Sequence, residues 1–182
     1  MLIPITFLPW KFRLGYSRDK VLRVNLEADE HIVAALPKVW DNIVGFAGFF
    51  HKSKEGILAL TNRNLIFTPQ YFYITPKERE KYFGQDKAQI TKIDNYSESQ
   101  LDEDISKESG SLVIPLKSVI EVSSIRLRKV NFLRIKFKTD NNKTKVVDFG
   151  ITKSVTNYPV RQPMIFYSID WEPWVRIIKA YT

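Results

Sequence analysis

The chain has 182 residues, of which 44% are hydrophobic and 26% are charged. This length fits one domain, and the apolar content suffices for a packed core, which excludes a wholly disordered chain. The absence of cysteine excludes disulfides, iron–sulfur clusters and Cys-ligated zinc. A net charge of +8 favours anionic partners such as phosphate, acidic lipid or nucleic acid.

The first ten residues, MLIPITFLPW, are apolar but contain Pro4 and Pro9. They fall far short of the ~20 apolar residues of a membrane-spanning helix. The cations Lys11 and Arg13 follow this run, whereas a signal peptide carries its positive charges before the apolar stretch. The sequence therefore predicts a cytoplasmic protein, and any association with a membrane is expected to be peripheral.

Short apolar runs separated by turn residues predict a mainly β fold. The clearest two-residue period covers residues 132–139, and the turn Asn62-Arg63-Asn64 indicates a hairpin. The sequence MIFYSI, residues 164–169, predicts an extra strand. The other strands are predicted near residues 31–40, 55–61, 64–69, 111–118, 119–128, 132–139 and 143–151.

A helix is predicted at residues 170–181, with one apolar stripe. Its two tryptophans, Trp171 and Trp174, are expected to pack in the core. Residues 71–110 are too long for an ordinary loop and are interpreted as an insertion. Within it, Thr75-Pro76-Lys77-Glu78 predicts a short helix near residues 76–83. The acidic residues 94–108 contain few apolar anchors and are expected to form a mobile loop.

The segment EGILALTNRNLIF, residues 55–67, and the later IPLKSVIEV, residues 114–122, resemble GRAM and bacterial pleckstrin-homology-like (PH-like) domains. The upstream LEADEHIV, residues 26–33, resembles the start of such domains. The resemblance implies seven strands in two sheets, closed by a C-terminal helix. It covers residues 22–70 and 111–182 of a single domain, and residues 1–21 form an N-terminal extension outside it.

No pattern typical of an enzyme is found. The two histidines, His31 and His51, lack metal-site spacing, and no phosphate loop, dinucleotide motif or nucleophile elbow occurs. The neighbouring acids Asp29 and Glu30 are interpreted as a solvated loop before a strand, and not as an acid–base pair. The chain is therefore expected to be non-enzymatic, with no cofactor and no metal.

The loop between the first two strands, NIVGFAGFFHKSKE at residues 42–55, combines aromatic and basic residues. In PH domains the corresponding loop commonly holds lipid headgroups, so the resemblance implies a site for anionic lipid. Cations near an acidic membrane and buried aromatics both favour such binding. The alternative is that GFAGFF continues a strand and packs internally. The candidate residues are Lys38, Phe49, Phe50, His51, Lys52 and Lys54.

A second candidate is a basic sheet face, because residues 111–150 hold nine Lys or Arg and three acids. Alternation places the cations outward and Leu127, Leu133, Ile135 and Phe137 in the core. The alternative is an ordinary solvated face, which the acidic residues 94–108 would partly mask. The predicted face consists of Arg126, Arg128, Arg134, Lys136 and Lys138.

Two functional hypotheses of different classes follow. The first is a binding or adaptor domain recruited to acidic membrane lipid. The second is a protein-interaction or assembly module that uses the insertion and the N-terminal extension. Nucleic-acid binding by the basic strands is a third and weaker hypothesis, because aromatic stacking partners are missing from that face.

Overall fold

The computed structural model describes residues 25–45, 53–71, 96–107, 110–156 and 162–182. The N-terminal extension, the predicted helix near residues 76–83 and most of the loop between the first two strands lie outside these ranges.

The described residues form an antiparallel β structure with two α-helices. The strands are β1 (Ile32–Ile43), β2 (Glu55–Thr61), β3 (Asn64–Tyr71), β4 (Leu112–Pro115), β5 (Val119–Leu127), β6 (Val130–Lys138), β7 (Thr144–Thr156) and β8 (Gln162–Tyr167). The helices are α1 (Glu98–Lys107) and α2 (Glu172–Tyr181), and a short 3-10 turn covers Leu116–Ser118.

The strands are neighbours in the order β4-β3-β2-β1-β7-β6-β5, and β8 pairs separately with β7. Seven consecutive antiparallel strands followed by a helix form the PH-like architecture that the resemblance implies. The extra strand predicted in MIFYSI is confirmed as β8. The strand predicted at 111–118 is shorter, because β4 ends at Pro115, which lacks a backbone donor and lies on an edge strand.

The main core lies between the inward faces of the strands and α2. Leu58 and Leu60 of β2 and Leu133 and Ile135 of β6 are all fully buried in it. Each pair is two residues apart, as the period of a strand requires for side chains on one face. These residues bury apolar surface from both halves of the sheet in a single core.

Helix α2 closes this core. Its first turn begins where Asp170 Oδ1 accepts the amide of Glu172 at 2.9 Å, and Pro173 occupies an early helical position that needs no amide donor. Trp171 is fully buried, and its indole nitrogen donates to the carbonyl of Asn131 at 3.1 Å. Trp174 packs partly buried against the same core. The predicted core role of the two tryptophans is confirmed.

Residues 98–107 form a helix, so the prediction of a mobile acidic loop is wrong there. Helix α1 packs on the outer face of the first strands, where Leu101 is fully buried with Ala59 and Ile66. Ile105, one turn further along, joins this second cluster. Leu101 and Ile105 are four residues apart and therefore lie on one helix face. These two anchors are enough to dock a helix that is otherwise polar.

The acids of α1 are hydrogen-bond acceptors for neighbouring segments. Asp102 Oδ1 accepts the amides of Asn25 and Leu26, and Glu98 Oε1 accepts the amide of Ile32 at 3.0 Å. The bond from Ile32 lowers the pKa of Glu98. Asp104 accepts the Tyr96 hydroxyl at 2.7 Å. The acidic composition that indicated disorder instead ties α1 to the segment preceding β1.

Candidate functional site

The predicted lipid loop lies between β1 and β2, and Phe49, Phe50, His51 and Lys52 fall outside the described residues. Its base is described. Asp41 and Lys54 join the two strands, because the Lys54 amide donates to Asp41 Oδ1 at 2.6 Å and the Asp41 amide donates to the Lys54 carbonyl at 3.1 Å. Lys54 is half-buried, with its ammonium beside Gly110. Lipid binding by the loop remains a prediction, and the structure describes only the strand ends from which the loop emerges.

Lys38 lies at an irregularity of β1. The pairing register with β2 shifts between Leu36 and Val39, and Lys38 has a φ of 58°. Non-glycine residues rarely adopt this left-handed conformation, which is typical of a bulge. The bulge turns the Lys38 side chain to a half-buried position. Lys38 therefore lies within β1 at its bulge, in the strand predicted near residues 31–40.

On β6 the predicted alternation of apolar and basic side chains is present. Leu133, Ile135 and Phe137 are buried in the core, as the alternation requires. The intervening cations share the outer face, where Lys138 is exposed and Lys136 is half-buried. Glu121 of β5 pairs opposite Lys136, so an acid is next to this cation.

Arg134 is not the exposed cation that was predicted. Its guanidinium donates two hydrogen bonds of 2.7 Å to the two carboxylate oxygens of Asp148 on β7, and its side chain is 31% exposed. The hydrogen bonds from Arg134 to Asp148 raise the pKa of Arg134. Asp148 itself is buried at 2% exposure. Arg134 therefore neutralises a buried carboxylate, which removes it from the set available to a polyanion.

Arg126 and Leu127 face the reverse of the predicted directions. Arg126 pairs opposite Asn131, which puts it on the face of Leu133 but beyond the end of the core, where it is exposed. Leu127 pairs opposite Val130 on the outer face and is 44% exposed. Polarity marks the faces of a strand only where one face is covered, and β5 extends past the core here. Arg128 lies in the turn beyond.

The predicted masking of the basic strands by the acidic segment is wrong for the part that the structure describes. Helix α1 packs against Ala59 of β2 and Ile66 of β3, not against β6. Its acid Asp102 accepts a hydrogen bond from Leu26, before β1, and its acid Glu98 accepts one from Ile32, the first residue of β1. The acid that does neutralise a cation of β6 is Asp148, which is on the adjacent strand.

The charges are segregated by depth. All buried charged residues of the described chain are acids, namely Glu30, Asp41, Glu55, Asp104 and Asp148. Every described Lys and Arg is at least partly exposed. The acids are held inside by neutral or cationic donors, such as those that contact Asp41 and Asp148. The surface of the described residues is therefore richer in positive charge than their composition alone indicates.

One structural cluster was missed because Asp29 and Glu30 were interpreted as a solvated loop. Glu30 is only 5% exposed and accepts hydrogen bonds from the Thr61 hydroxyl and the Asn64 side-chain amide at 2.5 and 2.7 Å. Asp29 pairs with Arg63, and this hydrogen bond lowers the pKa of Asp29. The segments LEADEHIV and TNRN, which carried the resemblance, are thus joined to each other. These contacts give a physical reason for the presence of both segments in the chain.

A groove of about 350 Å³ lies beside this cluster, between the β2–β3 turn and the end of α2. Arg63 and Lys117 contribute positive charge to it, and Glu27 contributes negative charge. Arg63 is already engaged by Asp29. The mixed charges define no ligand class. The described residues contain no cluster of acids and histidines suited to a metal ion and no helix long and apolar enough to cross a bilayer.

Comparisons with known proteins add a likeness in fold to a solved structure. No family model and no curated protein sequence matches the chain. A solved structure described as the Vps36 N-terminal PH domain is similar over 86% of this chain and 81% of that chain, with a TM-score of 0.46 and 14% sequence identity. The PH-like architecture of this chain stands on its own strand order and closing helix.

Proposed function

We propose that this chain is a non-enzymatic PH-type binding module that associates peripherally with acidic membrane surfaces. The observation that carries the proposal is the segregation of charge, with buried acids and exposed cations. Each Lys or Arg close to an acidic bilayer contributes about 1 kcal/mol to binding, and this attraction falls off within a Debye length.

Among the residues that the structure describes, most exposed cations lie after residue 110. Around β5, β6 and β7, the exposed Lys and Arg of the described residues are Arg126, Arg128, Lys129, Lys138, Lys143, Lys145 and Lys153. No ion pair among described residues engages any of these seven side chains. Those of the seven that face a lipid surface are therefore available to its phosphate groups, and the seven cations are distributed between both ends of β6. The predicted β1–β2 loop, with Phe49, Phe50 and Lys52, is one candidate for the apolar insertion that would accompany this attraction.

Sedimentation with lipid vesicles tests the proposal. The protein is expected to sediment with phosphatidylcholine vesicles that contain roughly 30% phosphatidylserine, and to remain in solution with pure phosphatidylcholine. Binding should fall steeply between about 50 and about 500 mM NaCl, because salt screens the exposed charges. Equal sedimentation with both vesicle types, or none with either, would exclude the proposed function and favour a protein partner.

A further inference from the structure

Two exposed elements converge beside the start of β6. The rings of Phe132 on β6 and Phe166 on β8 have centroids 5.1 Å apart. Both cover Gly150, where an added Cβ would lie 2.6 Å from a Phe132 ring carbon and 2.9 Å from one of Phe166. The Asn131 side chain also donates to the carbonyl of Ile169 at 3.2 Å. The β5–β6 turn ends at Lys129, two residues before Asn131. Two extended residues span about 7 Å, so the turn and β8 lie in one region of the surface.

This region exposes large apolar side chains. Met164, Ile165 and Tyr167 of β8 are 63%, 54% and 48% exposed, and Leu127 at the end of β5 is 44% exposed. Residues 162–169 contain no charged residue. In the described chain β8 pairs with β7 alone, so it is an edge strand, and edge strands of soluble proteins usually carry charges that prevent association. An uncharged edge strand with exposed apolar residues indicates a contact surface.

The turn beside β8 is strained and basic. Arg128 and Lys129 form a two-residue hairpin connection with φ values of 47° and 71°. Such turns favour Asn-Gly, because non-glycine side chains are strained in the left-handed region. Both cations are exposed, and no hydrogen bond or ion pair to a described residue occupies them. The sequence Asn-Gly would be more stable in this turn than Arg128-Lys129. The presence of two cations at strained positions therefore indicates that their charge has a function.

We infer that this region is the part of the molecule that enters an anionic lipid bilayer. It consists of Leu127, Arg128, Lys129, Met164, Ile165 and Tyr167 and is named the turn–strand surface. The inference rests on the proposed function and locates the contact, outside the predicted β1–β2 loop. Arg128 and Lys129 contact lipid phosphates, while Met164 and Ile165 enter the acyl boundary. Tyr167 suits the interface, since its ring is apolar and its hydroxyl is polar.

The geometry favours a bilayer over a folded protein partner. The exposed side chains project from a turn tip and from a strand edge, and such features are convex. A protein interface of ordinary size needs about 800 Å² of complementary surface on each partner. A bilayer adapts to a convex tip and offers phosphates at the depth of the cations and acyl chains just below. A bilayer can therefore contact both the cations and the apolar side chains of this region.

The first experiment uses the strain in the turn. Arg128→Asn with Lys129→Gly converts the turn to its preferred sequence, so the melting temperature should rise. Each lost cation should lower partitioning into acidic vesicles about fivefold, so the double variant should bind about 25-fold more weakly. Lys143→Asn with Lys145→Gln removes two exposed cations near the opposite end of β6 and is the matched control. The control should lose less than about threefold.

The second experiment measures insertion directly. The chain has no cysteine, so Ile165→Cys can carry a single environment-sensitive fluorophore. Its emission should shift to the blue with acidic vesicles, as for a label that enters an apolar medium. The same label at Lys143→Cys should remain in water. Because Ile165 is already 54% exposed, the substitution leaves the core unchanged.

The outcomes separate this inference from the proposed function. If the unmodified protein does not bind acidic vesicles, the proposed function fails. If it binds, but the turn variant binds equally well and the Ile165→Cys label stays in water, another surface makes the contact and this inference is overturned. The inference is also overturned if the turn variant binds weakly but the Ile165→Cys label stays in water. The turn then contacts headgroups only, β8 does not enter the bilayer, and a protein partner for β8 is favoured.

Discussion

Strands β2 and β6 show how the two halves of the sheet differ. All seven residues of β2 are buried, whereas the residues of β6 alternate, with buried Leu133, Ile135 and Phe137 separated by more exposed side chains. Both strands contribute one face to the same core. Their other faces differ, because α1 covers that of β2 and the outer face of β6 carries Arg134, Lys136 and Lys138.

The order of apolar and polar residues along a strand therefore indicates whether one or both of its faces are covered. The continuous apolar run GILALT requires a cover on each side, and the insertion between β3 and β4 supplies the second one. The alternating run LRIKFK requires only one cover. The insertion therefore completes the first half of the fold, whereas the second half keeps a polar outer face. Three experiments test this comparison.

The largest effect is expected at the contact between α1 and the first half of the sheet. Leu101→Ala removes a fully buried side chain between α1, Ala59 and Ile66, so it should lower the free energy of unfolding by about 3 kcal/mol. The measurement is urea unfolding followed by circular dichroism. Ile120→Ala, at a residue that is 47% exposed, is the control and should cost less than about 1 kcal/mol. Equal losses for both variants would show that α1 is not part of the cooperative core.

The next effect concerns the outer face of the second half. Arg134→Met leaves the buried Asp148 carboxylate without its guanidinium partner and should cost about 2–3 kcal/mol of unfolding free energy. The double variant Arg134→Met with Asp148→Leu should recover most of this loss, since no buried charge is left unpaired. Urea unfolding of the two variants compares them. If the single variant is as stable as the unmodified protein, Arg134 acts as the exposed cation that the sequence predicts.

The smallest effect is a dependence on acidic pH in the segment before β1. Hydrogen bonds lower the pKa of Asp29, which bonds to Arg63, and of Glu98, which bonds to the Ile32 amide. Their stabilisation is complete above their ordinary pKa values, near 4, and is lost as the pH falls through the lower values of the folded state.

The urea midpoint should therefore fall more between pH 7 and pH 3 in the unmodified protein than in Asp29→Asn with Glu98→Gln. Both side chains are largely exposed, so the difference should be small. The carboxamide oxygen introduced by Glu98→Gln can still accept the Ile32 amide, which preserves the geometry at neutral pH. An identical loss in both proteins would mean that other carboxylates carry the acid sensitivity.

Local patterns predicted most of the elements. The hairpin of β2 and β3, the alternation of β6 and the apolar stripe of α2 each depend on residues a few positions apart, so periodicity alone identifies them. Pro115 correctly indicated an edge strand. Helix α1 was missed because its anchors, Leu101 and Ile105, are few, and its acids are used in contacts with residues more than sixty positions away.

Local sequence patterns are enough to identify a basic, mainly β domain closed by a helix, because apolar periods and turn residues act locally. Which charges remain available depends on contacts between distant segments. Arg134 is engaged by Asp148 of the adjacent strand, and Arg126 and Leu127 face the reverse of their apparent pattern because β5 passes the end of the core. Phe166 of β8 likewise contacts Phe132 near the start of β6, since pairing in space, and not spacing in sequence, brings separate segments together.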